Sequence, residues 1–315
     1  MTRVLVTGAN GFIGRALTET LAGRGLAVRA AVRSPAALPG EVRTVGEIGP
    51  YTEWRRVLAH VDAVVHLAAR VHVIRETAAD PLAAYRAVNV AGTARLAHEC
   101  AAARVPRLVF VSSIKVNGER TRGWPFTETD PPAPEDPYGV TKLEAEEELR
   151  SIAAGTGLEI VVVRPCLVYG PGVGGNLARL MRAIERGVPL PIASVRNRRS
   201  LIGLANLCDL LARCATDPRA AGETLLAADG QDLSTPQLAR ALAEGIGRPA
   251  RLLPVPPRLL ELAARLAGAK AAYERLCGSL EVDGSKARRL LDWEPPVTPE
   301  DGLRETGAWH RTHSR

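Results

Sequence analysis

Val6-Thr7-Gly8-Ala9-Asn10-Gly11-Phe12-Ile13-Gly14 follows a β-rich run that starts at residue 3, and its reading decides the fold. Behind it, Ala16, Leu17, Thr20 and Leu21 recur at helical spacing, so the order is strand, glycine turn, helix. Gly8, Gly11 and Gly14 let the backbone turn tightly and approach a pyrophosphate, whose charge is favoured at a helix N-terminus. The spacing is GxxGxxG, distinct from the GxGxxG of the general dinucleotide fold, and it takes its meaning from the strand before it and the helix after it. Asn10, Phe12 and Ile13 lie in the same turn and are assigned to the cofactor with it.

Outward from the turn, a second strand over 28–32 ends in Val32-Arg33-Ser34-Pro35. An NAD-preferring site places a carboxylate there for the ribose 2′-hydroxyl. Arg33 and Ser34 suit a 2′-phosphate instead, so NADP(H) is expected ahead of NAD(H). A third strand over 42–45 leads to Gly46-Glu47-Ile48, read as an adenine-edge loop. The fourth, Ala63-Val64-Val65-His66-Leu67-Ala68-Ala69, reads as buried; the small residues at its end let a cofactor lie close, and His66 is a core histidine. Residues 70–75 form a loop on the nicotinamide side. Residues 81–103 read as one long helix, in which Asn89 is costly unless it bonds backbone or water beside the cofactor. A fifth strand over 108–111 ends at Val111 and delivers Ser112-Ser113-Ile114-Lys115 to the edge where open α/β sheets bind ligands. A sixth over 160–163 runs into Arg164-Pro165-Cys166-Leu167-Val168, and Pro165 and Val168 are placed on the cofactor side.

Between the fifth and sixth strands lies Tyr138-Gly139-Val140-Thr141-Lys142. Helical spacing brings positions i and i+4 onto one face, so Tyr138 and Lys142 stand side by side. A neighbouring ammonium favours a phenolate, and the pair is acid/base equipment for an alcohol and a ketone. Residues 119–137, rich in Pro, Asp and Glu, read as a substrate-side flap.

The chain of 315 residues, 46% hydrophobic and 24% charged, can bury a sizeable core, and it has no apolar run near the ~18 residues that cross a bilayer. A membrane-inserted protein is therefore not expected, and the N-terminus reads as a first strand, not a signal. Five cysteines at irregular spacing, without CxxC, fit free thiols in a reducing cytoplasm and suggest no metal site. The net charge of +7 is dispersed arginine without an aromatic-studded basic stripe, so no nucleic-acid partner is expected. Lysine occurs only at positions 115, 142, 270 and 286, and two of these fall in the stretches assigned to catalysis. From about 171 the punctuation by glycine and proline changes. The expected architecture is α/β: a Rossmann-like doubly wound parallel sheet over 1–170, with 201–216 returning to it. A smaller C-terminal α/β substrate-binding lobe spans 171–315, with helices near 176–186, 235–245, 256–267 and 300–311.

On these motifs, together with Asn89-Val90-Ala91-Gly92-Thr93 and Tyr169-Gly170-Pro171-Gly172, the chain resembles the extended short-chain dehydrogenase/reductase superfamily, in its nucleotide-sugar epimerase/dehydratase group. The resemblance implies that Ser113 assists Tyr138 and that Lys142 binds the nicotinamide ribose. It implies a UDP-sugar substrate met by Asn176 and Arg199 at the diphosphate, Leu190 and Ile192 beside the uracil, and Arg275 as a second diphosphate arginine. Homodimers through helices near 82–103 and 138–155 are expected. Sugar 4,6-dehydratases of this group place an Asp-Glu pair where this chain has Ile114-Lys115, which argues against dehydration. Arg70-Val71-His72-Val73 and Arg196-Asn197-Arg198-Arg199-Ser200-Leu201 look most like bacterial 4-reductases that make UDP-N-acetylquinovosamine for surface polysaccharide from UDP-4-keto-6-deoxy-N-acetylhexosamine. In that reading Tyr138 protonates the C4 oxygen as NADPH delivers hydride, and Lys115 lies near C4 to C6 of the sugar. The alternatives are a UDP-hexose or UDP-N-acetylhexosamine 4-epimerase using bound NAD, and a catalytically silent NADP(H)-binding protein.

Overall fold

Successive side chains of a strand point to opposite faces, so short continuous apolar runs give each strand two apolar faces, and a sheet built from such strands must be covered on both sides. The computed structural model describes residues 1–71 and 80–313. The chain runs β1 (Arg3–Thr7), α1 (Phe12–Gly23), β2 (Ala27–Val32), β3 (Glu41–Thr44), β4 (Ala63–His66), α2 (Pro81–Arg86), α3 (Gly92–Ala102), β5 (Arg107–Val111), α4 (Pro137–Thr156), β6 (Glu159–Pro165) and β7 (Leu167–Tyr169). It continues through α5 (Gly175–Glu185), β8 (Leu201–Gly203), α6 (Leu204–Thr216), β9 (Thr224–Ala227), α7 (Thr235–Ile246), α8 (Pro257–Leu266), α9 (Lys270–Cys277), α10 (Ser285–Leu291) and α11 (Pro299–His313). Seven strands form one parallel sheet in the order β3-β2-β1-β4-β5-β6-β9, with Val4 opposite Val28 on one side and Ala63 on the other. Val4, Val6, Val109 and Val163 face a core shared with α1 and α6; Leu5, Leu108, Phe110 and Val162 face one shared with α3 and α4.

The strand order reverses between β1 and β4, and such a switch point opens a crevice at the C-terminal ends of the strands. The glycine turn, Leu67 and Ser112-Ser113 all follow those ends.

Two departures from the sequence reading stand out. The long helix over 81–103 is interrupted by a π-helical turn over Ala87–Ala91, centred on Asn89, between α2 and α3. A seventh strand, β9, extends the sheet beyond the six expected; its residues, Thr224-Leu225-Leu226-Ala227, carry little β-branched character, and pairing with β6 decides their conformation. α10 packs against β9, while β8 pairs with β7 outside the main sheet and α6 covers α1. A third core gathers Tyr169, Leu177, Met181, Leu242 and Leu303 among α5, α7 and α11. Residues 72–75 of the expected nicotinamide-side loop lie outside the described residues. All five cysteines are free thiols, and no described helix is long and apolar enough to cross a membrane.

Candidate active site

The glycine turn is shaped by what it excludes. Gly8 has φ +65, and a Cβ there would sit 2.8 Å from the Ala68 backbone nitrogen; a Cβ on Gly14 would collide with the Gly8 carbonyl. No side chain caps α1, whose N-cap is Gly11, so its first-turn N–H groups remain for an anion. The turn therefore fits the pyrophosphate of a dinucleotide.

From it runs a cavity of about 600 Å³, within the usual ~300–1,000 Å³ of small-molecule sites. At one end stand Arg33, Glu47 and Ile48; along it lie Gly8, Asn10, Gly11, Phe12, Ile13, Gly14, Leu67, Ala68, Ala69, Pro165 and Val168; at the other end are Val111, Ser113, Tyr138 and Lys142. The strand ends thus bring together nearly every residue expected to hold a cofactor. Two differ. Ser34 is exposed and lines no part of the cavity. Asn89 is buried behind it: its amide accepts from the Arg70 backbone N–H at 2.7 Å and donates to the Arg70 carbonyl at 3.1 Å and to Thr141 Oγ1 at 3.1 Å. It ties the wall of the cavity to α4 without reaching the cavity itself, which explains why the helix spends a π turn on it.

α4 presents the reactive pair. Asp136 caps it, accepting from the Gly139 N–H at 2.7 Å, and Pro137 opens its first turn. Lys142 is buried, donates to the Val111 carbonyl at 2.8 Å, and its Nζ lies 4.4 Å from the Phe110 ring centroid and 5.8 Å from that of Tyr138. Burial pulls its pKa down from 10.5 to about 7, with Glu146 pulling the other way. The Tyr138 phenol is pushed up, by burial first and then by Asp136 and Tyr85. Burial thus works against the phenolate that Lys142, at that distance, was expected to favour. Ser113 Oγ accepts from the Lys115 backbone N–H at 3.2 Å, leaving its O–H to donate elsewhere.

Beneath the strand ends is a charged network that the sequence reading missed. Glu146 and Arg164 are both buried, joined by Arg164 Nε to Oε1 at 2.9 Å and Nη2 to Oε2 at 2.5 Å. Ser112 donates to Glu146 at 2.6 Å, and Arg164 reaches Asn117 at 2.9 Å. Glu146 lies i+4 from Lys142, and that spacing was the available signal. His66 is a core residue between Thr7 Oγ1 at 2.6 Å and Thr93 Oγ1 at 3.0 Å, and burial lowers its pKa to about 3.

Of the residues expected to meet the sugar nucleotide, only Ser113 lines this cavity. The Lys115 ammonium is clasped by Glu119 at 2.7 Å and Asp136 at 2.5 Å and so braces the start of α4. Asn176 is exposed at the start of α5, and Leu190 pairs with Leu252 beside the buried Ile192. Arg199 donates to the carbonyls of Arg275 at 3.1 Å and Gly278 at 3.0 Å, while the Arg275 side chain is exposed. The flap is tied down by backbone bonds from Thr121 to Ser279 and from Phe126 to Glu281.

The sequence profile of the NAD dependent epimerase/dehydratase family matches residues 4–227, from β1 through β9. The chain belongs to that family. Among its relatives, a UDP-glucose 4-epimerase of Vibrio cholerae is 42% identical over 310 residues, covering 96% of this chain and 94% of that protein. An Escherichia coli O157:H7 N-acetyl-alpha-D-glucosaminyl-diphospho-ditrans,octacis-undecaprenol 4-epimerase is 25% identical over 326 residues, covering 99% and 96%. The solved structure of MoeE5 in complex with UDP-glucose and NAD superposes with a TM-score of 0.79 at 27% identity, covering 99% of this chain and 100% of that one.

Proposed function

We propose that this chain is a nucleotide-sugar 4-epimerase, inverting C4 of a UDP-hexose or UDP-N-acetylhexosamine. The observation that carries this reading is a single cavity that joins the glycine turn to Ser113, Tyr138 and Lys142. The 42% identity to a UDP-glucose 4-epimerase supports inversion ahead of the reduction expected from Arg33. A nicotinamide cofactor held along the glycine turn, β4 and β5 supplies the two-electron acceptor and donor for the sugar carbon. The chain's own residues handle the proton: Tyr138 Oη exchanges it with the C4 oxygen, Ser113 Oγ donates a hydrogen bond to that oxygen, and Lys142 adjusts the phenol's acidity. Incubation with UDP-glucose or UDP-N-acetylglucosamine and no added reductant is expected to give the C4 epimer at steady turnover, followed by nuclear magnetic resonance; a sugar left unchanged in both cases defeats the reading.

A second reading, reduction of a UDP-4-keto-6-deoxy-N-acetylhexosamine to UDP-N-acetylquinovosamine, keeps the same residues and is favoured by Arg33 at the end of β2 with no acid beside it in sequence. Its mark is a gain of two hydrogens when NADPH is supplied.

The cofactor's adenosine end bears on both. Arg33 pairs with Glu47 at 3.4 Å, both well exposed, so an acid reaches this position from the loop after β3. A carboxylate there accepts from a ribose 2′-hydroxyl and repels a 2′-phosphate, which favours NAD(H) over the NADP(H) expected from Arg33 alone. Glu47→Arg is expected to tighten NADP⁺ binding about tenfold relative to NAD⁺ by calorimetric titration; an unchanged ratio removes Glu47 from the selection.

A further inference from the structure

Large apolar side chains left in water are normal when scattered and informative when clustered. Among the described residues, twelve large hydrophobics are exposed, and five of them, Leu253, Leu259, Leu262, Leu266 and Leu276, fall within one short segment around α8 and α9. No residue of α8 is buried, whereas the preceding α7 buries most of its length. At 100° per residue, Leu259, Leu262 and Leu266 form one stripe. The opposite side of α8, through Leu260, rests on the third core, so the stripe points away from the protein.

The exposed charges in this segment are all cations. Arg248, Arg251, Arg258, Arg265, Lys270 and Arg275 are all exposed. The only acids in the same segment, Glu261 and Glu274, are half-buried and engaged by Arg265 at 2.6 Å and by Arg120 at 3.0 Å. Six cations against two acids leave +4 here, more than half of the chain's +7. An outward leucine stripe flanked by arginine is the composition of a helix lying in the headgroup layer of an anionic bilayer. A second copy of the chain would set this positive patch against itself under two-fold symmetry.

We infer that α8, with Leu253 and Leu276 beside it, docks this protein peripherally on an anionic lipid surface. The catalytic cavity takes no part in the contact. The test is co-sedimentation of the full chain with vesicles of phosphatidylglycerol and phosphatidylcholine against vesicles of phosphatidylcholine alone. Binding is expected to the anionic vesicles, weaker at high salt. Leu262→Glu and Leu266→Glu are each expected to lower the partition constant about tenfold or more, and Arg258→Glu about fivefold, with the circular dichroism spectrum and sugar-nucleotide turnover unchanged. Equal binding to both vesicle types, no binding to either, or variants that bind as the wild type overturn the inference. So does a wild-type dimer by light scattering that Leu262→Glu dissociates without any vesicle binding, which assigns the stripe to a second copy.

Discussion

Tyr138→Phe is expected to lower turnover by about 10²–10⁴-fold while leaving sugar-nucleotide binding within a factor of two or so. The Tyr138 hydroxyl belongs to the end of the cavity that Ser113 and Lys142 also line, whereas the ring that shapes the wall is kept by phenylalanine. Lys142→Met is expected to cost activity on a similar scale but to move stability the other way. Lys142 is 2% exposed, and its ammonium meets a carbonyl and an aromatic face, with no carboxylate of the described residues in direct contact. Its folded pKa of about 7 lies below the ordinary 10.5, so between those values the unfolded chain binds more protons. Stability from this group therefore rises as pH goes from about 7 to about 10.5, and the full penalty of a buried charge stands below 7. Urea midpoints across that window should climb in the wild type, and that part of the slope should vanish in Lys142→Met; a variant with both lower stability and an unchanged slope contradicts the assignment.

Glu146→Ala is expected to destabilise the fold by about 3–5 kcal/mol, because it strands the buried Arg164 guanidinium without its counter-charge. The same change unties Ser112, next to Ser113, and removes the acid that keeps Lys142 from falling further. Removing both charges should hurt less than the sum of the single losses, so Glu146→Leu with Arg164→Leu is the informative double variant. Denaturant unfolding of the wild type, Glu146→Leu, Arg164→Leu and the double variant gives the coupling. Additive losses would mean that the pair, despite its geometry, does not act as a unit.

How much of this was legible beforehand follows from how local each signal is. The glycine turn, the strand ends and the Tyr138-Lys142 spacing are each written within a few residues, and the switch point then assembles them in one crevice. Glu146 and Arg164 meet only because α4 packs beneath β6, and nothing in either neighbourhood announces the other. Glu47 reaches Arg33 from the loop after β3, so an acid sought at the end of β2 was missed. Lys115 has the charge of a ligand contact, but Glu119 and Asp136 take it up. The Tyr138 phenol is pushed up by burial, with Asp136 and Tyr85 adding to the shift, and spacing alone reports none of this.

In the proposed epimerisation Tyr138 manages an exchangeable proton on oxygen while the hydrogen on C4 leaves and returns without mixing with water. Epimerisation run in D₂O, with the product's C4 position read by nuclear magnetic resonance, separates the two hydrogens. The account predicts a C4 epimer that carries no deuterium at that carbon, and a Tyr138→Phe protein that forms almost none of it. Deuterium appearing at C4 during turnover would contradict it, since the carbon would then be losing a proton to solvent.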